Sequence, residues 1–321
     1  MKREMKKVLA MVGWAMIVLS LVSDAYAFQY TITDLGVSSG DNTWYRYAIN
    51  NSGQIAGNSP AGAFLWENGQ KTYIGEGWVS DINDSGQVSG SSSTEPSPFI
   101  WQNGLKTELS RGEAVGINNS GQVVGFSDSN IGSLLSTLWN RGETIDIGVL
   151  ESDWRDYGYP PHSFTSGIND SGQVVGFSMV ETFNEQYNAF LWENGLMKDL
   201  GEGYALGINN MGQVVGQSGY YRNNNNHALL WDNGSARDIG TLYGSGNSVA
   251  LAINDSGYVV GNSFAPNGQI TLMPEASGSY WWMPAHSVQT HAFIWNNDLG
   301  MVDLNSMLIP KNGNFFCNGH Q

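Results

Sequence analysis

The stretch Gly207–Ser218, GINNMGQVVGQS, decides how this chain is built, because it is written six times. Near-copies begin at Ala48 (AINNSGQIAGNS), Asp81 (DINDSGQVSGSS), Gly116 (GINNSGQVVGFS), Gly167 (GINDSGQVVGFS) and Ala252 (AINDSGYVVGNS). Aligned on the glycine that closes each turn, the copies fall at Gly53, Gly86, Gly121, Gly172, Gly212 and Gly257, in steps of 33, 35, 51, 40 and 45 residues. A period of about forty residues is the length of one four-stranded propeller blade.

The unit beginning at Tyr204 shows its strands most plainly. YALGIN predicts a first strand, NNMG a turn, QVVGQS a second strand, HALLW a third, DNG a turn and ARDIG a fourth. Asn and Gly accept positive φ at low cost, so Asn-Gly and Asp-Ser-Gly read as hairpin turns. The third strand ends in tryptophan in every unit: Trp66, Trp101, Trp139, Trp192, Trp231 and Trp295. Four short strands cannot bury both faces alone, and stacking the units buries them. The expectation is an all-β fold, a β-propeller of four-stranded antiparallel blades, with a β-solenoid as the alternative. Unit lengths that vary this much favour blades carrying loop insertions.

The ends differ from the repeat. Met1–Lys7 is basic, Val8–Val22 is apolar, and Ser23–Ala27 closes in a small-x-small pattern. That predicts a secretory signal peptide over residues 1–27, a repeat domain over 28–304 and an irregular tail over 305–321. The expected product is secreted or extracellular, with a periplasmic location as the alternative, and has no membrane span after cleavage. Its residues 28–321 hold 10 basic against 27 acidic residues, a net charge of −17. Such an acidic protein repels phosphate backbones and anionic lipid, so no nucleic-acid partner is expected. The single cysteine, Cys317, cannot form an internal bridge. Tyr30–Gly36 (YTITDLG) reads as a fourth strand with no unit before it. This stray strand fits either six blades with an extra edge strand or a truncated seven-bladed ring. In the second case an open blade edge would favour self-association.

The frame IN-x-x-GQVVG … HAF(L/I)W … DLG resembles the HAF-repeat family of bacterial extracellular proteins. The triplet stands as His291-Ala292-Phe293, with looser versions at His227–Leu229, Asn188–Phe190 and Gly62–Phe64. The resemblance runs through Tyr30–Leu304 and implies secretion and a propeller-like fold. It implies no reaction and no catalytic residues.

Multiplicity separates architecture from chemistry. Asn50, Asn83, Asn118, Asn169, Asn209 and Asn254 recur in every unit, as do Ser59, Ser92, Ser127, Ser178, Ser218 and Ser263. A nucleophile is needed once, so six copies read as scaffold. Asp84, Asp170 and Asp255 alternate with Asn in the turns, and no calcium-loop spacing surrounds them, so no metal is expected. No cofactor is expected either. His227 and His291 share one repeat position, read as occupied elsewhere by Gly62, Ser97, Ser136 and Asn188, which predicts strand hydrogen bonding. His162, His286 and His320 read as isolated.

The residues that do not repeat carry the functional expectation. In a four-stranded meander the 1–2 and 3–4 turns share one face, and the 2–3 loops and blade links share the other. Every long insertion belongs to the second face: Ser127–Ser136, Leu150–Thr165, Met179–Tyr187, Gly219–Asn226 and Phe264–Thr290. These insertions hold the candidate ligand-binding aromatics Trp154, Tyr157, Tyr159, Tyr220, Tyr221, Tyr280, Trp281 and Trp282. Aromatics flanked by Asp, Arg and Asn suit stacking on sugar rings or gripping a peptide, and equally suit pinning long loops. The reading is a binding or adhesion module for an extracellular glycan or protein ligand. The alternatives are a polysaccharide-acting hydrolase or lyase using Glu151, Asp153, Asp156, Glu181 or Glu185, and a structural surface component.

Overall fold

A computed structural model describes residues 47–93, 97–129, 132–151, 161–181, 186–219, 226–244, 246–264, 270–274, 280–284 and 290–307. For residues 181, 270–274, 280–284 and 305 it describes the backbone alone. The chain divides into two compact units: Gly36–Asp303, and Met1–Leu35 with Leu304–Gln321. Of the second, the described part is a short 3₁₀ helix, Leu304–Met307. The predicted stray strand Tyr30–Gly36 lies outside the described residues, as do the predicted signal segment and most of the tail.

Among the described residues, the first unit holds six four-stranded antiparallel blades. Blade one comprises β1 (Tyr47–Ile49), β2 (Ile55–Ser59), β3 (Gly62–Glu67) and β4 (Gln70–Gly75). Blade two comprises β5 (Trp78–Ile82), β6 (Val88–Ser91), β7 (Pro98–Gln102) and β8 (Leu105–Glu108). Blade three comprises β9 (Glu113–Ile117), β10 (Val123–Asp128), β11 (Leu134–Asn140) and β12 (Glu143–Gly148). Blade four comprises β13 (Ser163–Ile168), β14 (Val174–Glu181), β15 (Gln186–Glu193) and the start of β16 (Leu196–Ile208). Blade five takes the end of β16 with β17 (Val214–Ser218), β18 (Ala228–Asp232) and β19 (Ser235–Gly240). Blade six comprises β20 (Ser248–Ile253), β21 (Val259–Phe264), β24 (Thr290–Asn296) and β25 (Gly300–Asp303), with a hairpin of β22 (Ile270–Pro274) and β23 (Tyr280–Pro284) inserted.

The blades stand around an axis. β1 packs on β5, β5 on β9, β9 on β13, β13 on β16 and β16 on β20. Ile49, Ile82, Ile117, Ile168, Ile208 and Ile253, at the ends of the six first strands, line one pocket mouth. A solenoid would set its units along a line, so the fold is a β-propeller. The apolar residues collect between neighbouring blades. Ala56, Leu65 and Ile74 of blade one meet Val79, Val88, Phe99 and Trp101 of blade two. Val175 and Ala189 of blade four meet Val214, Leu229 and Trp231 of blade five in the same way. Each blade thus offers one face to its predecessor and the other to its successor, which is why both faces of the repeat are apolar.

Local chemistry explains the frame. Asn68, Asn103, Asn194 and Asn233 take φ of 50–51° in the turns after strand three, each followed by a glycine also at positive φ. In strand four, Asp146, Asp199 and Asp238 each accept from the backbone N–H two residues on, at Gly148, Gly201 and Gly240. That closes the bulge recorded in the register between strands three and four and accounts for the D-(I/L)-G ending. Ser178 Oγ and Ser263 Oγ accept from Leu150 N and Leu242 N at 3.0 Å, tying the blade links to the second strands.

Several expectations are corrected. Strand four of blade four and strand one of blade five form one continuous strand, β16, because the link GEG needs no loop. Much of the expected Met179–Tyr187 and Ser127–Ser136 insertions is strand, since β14, β15, β10 and β11 all run past the blade frame. Strand register aligns Leu135, not Ser136, with His227 and His291, because Ser136 pairs with Phe126 as Ala228 pairs with Gln217.

Candidate functional site

The two faces of the propeller differ in what their side chains have left to offer. On the turn face, the Asn of each of the first five Ile-Asn pairs donates its Nδ2 to the backbone carbonyl of the next unit's Asn. The bonds Asn50 to Asn83, Asn83 to Asn118, Asn118 to Asn169, Asn169 to Asn209 and Asn209 to Asn254 all measure 2.9–3.0 Å. In the first five units the same Nδ2 also reaches the Gln four residues on, as from Asn118 to Gln122 at 2.7 Å, while Oδ1 caps two backbone N–H groups of its own turn. A second chain of bonds runs outside the first, through Asn51, Asp84, Asn119, Asp170, Asn210 and Asp255. The backbone N–H of each donates to the next one's side-chain Oδ1 at 2.8–2.9 Å. Each Asn Nδ2 bridges to carboxylate Oδ2 atoms beside it, so that Asp84 accepts from Asn51 and Asn119, and Asp170 from Asn119 and Asn210.

This arrangement explains why Asp and Asn alternate strictly from unit to unit. Two adjacent carboxylates would repel with no donor between them, and two adjacent amides would lack the charged acceptor that strengthens the bond. The backbone N–H of Asn51, and then its side-chain amide, hold the Asp84 carboxyl below its ordinary value. The alternation was visible in the sequence as NN, ND, NN, ND, NN, ND. Its meaning was not, because nothing local to a turn shows that the next turn supplies its partner.

The turn-face mouth has a volume of about 230 Å³. It is lined by these asparagines and aspartates with the six isoleucines beneath. Their hydrogen-bonding capacity is largely spent on each other. Among the described residues no group of three or more His, Cys, Asp or Glu could hold a metal ion.

The opposite face carries the insertions. Tyr280, Trp281 and Trp282 lie in β23, whose backbone pairs Tyr280 with Pro274, Trp281 with Met273 and Trp282 with Leu272. The segment read as loop is therefore a hairpin standing between strands two and three of blade six. Trp154, Tyr157, Tyr159, Tyr220 and Tyr221 lie outside the described residues. Of the carboxylates, Glu151 is exposed at the head of its link and Glu181 ends β14. Asp153, Asp156 and Glu185 lie outside the described residues.

An aromatic group that sequence reasoning left unassigned organises this face. Phe126, Phe164, Phe177, Tyr187 and Tyr204 form one buried cluster. Ring centroids lie 5.4 Å apart for Phe164 and Phe177, and 5.0 Å apart for Phe177 and Tyr204. Tyr187 falls inside an expected insertion yet serves as an anchor, which is the loop-pinning role for that residue. His162, expected to be isolated, is joined to the group. Its ring stacks on Phe164, its Nδ1 accepts from Leu134 N at 3.0 Å, and its carbonyl accepts from Met179 N at 2.9 Å. Burial pushes the His162 imidazolium down from its ordinary value. His286 and His320 lie outside the described residues.

The histidines of the repeat hydrogen-bond across strands. His227 Nδ1 lies 2.7 Å from Asp238, and His291 Nδ1 meets Asp303 in the same place; in blade four, Asn188 Nδ2 reaches Asp199 at 2.9 Å. The H of the HAF triplet and the D of the DLG ending are thus partners on adjacent strands. The strand-three tryptophans are frame residues: Trp101, Trp139, Trp192, Trp231 and Trp295 are buried between blades. Among the described residues no helix is long and apolar enough to cross a membrane.

No known family model and no curated protein matches the chain. Several solved structures resemble it in fold. A TolB from Acinetobacter baumannii shares 11% identity and a TM-score of 0.41 over 59% of this chain and 51% of its own. An acylaminoacyl peptidase from Pyrococcus horikoshii shares 10% identity and a TM-score of 0.46 over 81% of this chain and 51% of its own. The likeness spans about half the length of each, and transfers neither residues nor activity.

Proposed function

We propose that this propeller is a secreted binding or adhesion module, and that its ligand docks on the insertion face. The observation that carries the reading is the asymmetry of the two faces. The turn-face side chains are bonded to one another from blade to blade, whereas the insertion face adds a hairpin bearing Tyr280, Trp281 and Trp282 to the blade frame. Scaffolds built of repeats carry function on elaborated loops held by a rigid frame. Consecutive aromatics beside Ser279, with Asp153, Asp156 and Asn223 beside the aromatics of the other insertions, fit an extracellular glycan, whose sugar rings stack on aromatic faces, better than they fit a charged ligand.

The test is a glycan array probed with the secreted protein, followed by Trp154→Ala and Trp281→Ala on any ligand found. Each substitution is expected to weaken binding at least tenfold with an unchanged melting temperature. If both lower the melting temperature and neither alters binding, these aromatics are loop anchors and the site lies elsewhere. Release of reducing sugar from the bound glycan would favour the enzymatic alternative.

A further inference from the structure

The joint between blades three and four is built on the same plan as the joint between blades five and six, bond for bond. At the first, Leu150 N donates to Ser178 Oγ at 3.0 Å, Ser136 N to Ser163 Oγ at 2.8 Å, and Ser163 Oγ to the Gly148 carbonyl at 2.6 Å. At the second, Leu242 N donates to Ser263 Oγ, Ala228 N to Ser248 Oγ, and Ser248 Oγ to the Gly240 carbonyl, at the same three distances. The carbonyl just before the first strand accepts from the second strand at 2.9 Å in both joints. His162 accepts there from Met179 N, and Asn247 from Phe264 N.

One bond differs in kind. At the second joint Asn226 N donates to the side-chain Oδ1 of Asn247 at 2.8 Å, and both residues are buried. At the first joint the matching donor, Leu134 N, reaches Nδ1 of His162 at 3.0 Å. An amide oxygen accepts at any pH, whereas an imidazole nitrogen accepts only while it carries no proton. Once the ring is charged both nitrogens are donors, and Nδ1–H would face Leu134 N–H with no acceptor between them.

The surroundings favour release. Ser133 Oγ and Ser136 Oγ, on the segment that the ring holds, are buried without a hydrogen-bond partner among the described residues, and opening would let water satisfy both. The charged and titratable groups on the neighbouring elements are few. Asp128 stands opposite Leu134 and is paired with Arg111 at 3.5 Å, and Tyr187 stands opposite Met179. Glu151 heads the link and Glu181 ends β14, while Asp153, Arg155 and Asp156 lie outside the described residues. Burial, rather than any of these charges, lowers the ring's value.

We propose that His162 is a pH-operated latch: its neutral ring holds the head of β11 against blade four, and protonation releases it while the Asn247 joint stays closed. The part set free is the connection between β10 and β11. Mild acid thus loosens the insertion face at blades three and four and leaves it fixed at blades five and six. The latch rests on the two joints, whichever ligand the face binds.

The test is amide exchange read by NMR on the protein between about pH 7.5 and about pH 5, corrected for the intrinsic rate. Protection of the Leu134 amide is expected to fall several-fold over that range, while that of Asn226 stays level. His162→Asn, which copies the second joint, should make Leu134 protection independent of pH. Asn247→His should transfer the fall to Asn226. Level protection of Leu134 in the unaltered protein overturns the proposal, as does an equal fall at Leu134 and Asn226, or a fall that persists in His162→Asn. Should either variant fail to fold, the unaltered protein decides alone, because its two joints serve as test and control.

Discussion

The side-chain amide of Asn118 donates to the backbone carbonyl of Asn169 at 3.0 Å, across the longest unit of the chain. The equivalent bond from Asn50 to Asn83 measures 2.9 Å across the shortest. Equal geometry across units of 51 and 33 residues means that insertions never perturb the turn face. Asn118→Ala would leave the N–H groups of Ser120 and Gln122 and the Asn169 carbonyl without this partner in a buried place. The expected loss is about 1–3 kcal/mol. Asn254→Ala, at the exposed end of the series, should cost about 0.5–1 kcal/mol. Urea midpoints for the two variants check the contrast, and equal losses would refute the relay.

The glycine of the Val-Val-Gly run is set by backbone approach. A Cβ on Gly125 would stand 1.8 Å from the Glu113 carbonyl oxygen of the neighbouring strand. Gly125→Ala is expected to destabilise by about 3 kcal/mol or more, at the top of ordinary overpacking costs. Gly69→Ala, whose Cβ would meet nothing within 4 Å but whose φ is +80°, should cost about 1–2 kcal/mol. Thermal melts of both variants decide this.

Arg141 holds φ at 50° in a turn where four other blades have asparagine. Asparagine tolerates that region better than a long side chain does. Arg141→Asn should raise stability by about 0.5–1 kcal/mol, seen as a higher urea midpoint with an unchanged slope.

Two groups give stability that is lost as pH falls, in two separate windows. Burial disfavours the charged His162 ring, so the unfolded chain takes up its proton first as pH falls. The stability tied to neutral His162 is complete above the ordinary value of 6.5 and is lost as pH falls toward the lower folded value. His162→Gln should flatten the change in unfolding free energy between about pH 7.5 and pH 5. The Asn51 backbone N–H stabilises ionised Asp84, so that contribution is present above 3.8 and lost as pH falls through the lower folded value. Asp84→Asn should flatten the decline in stability as pH falls from 3.8 to the lower folded value, measured by acid titration of the melting temperature.

The sequence by itself determined the architecture. A six-fold repeat with turn glycines, period-two apolar strands and a tryptophan ending each third strand left four-stranded blades as the unit, because those signals act over a few residues. It also determined which face would be elaborated, since insertion lengths can be read along the chain. The tertiary structure alone decided how the units recognise each other. The Asn50–Asn83 relay, the Asn51–Asp84 alternation and the pairing of His227 with Asp238 join residues whose partners lie in another turn or strand, and no local preference specifies them. Position alone cannot show that Val260 is 39% exposed where Val215 is buried, because the two residues are identical and their burial is set by tertiary packing. His162 read as isolated for the same reason: its hydrogen-bond partner, Leu134 N, belongs to the preceding blade and reaches it only after the blades fold against one another.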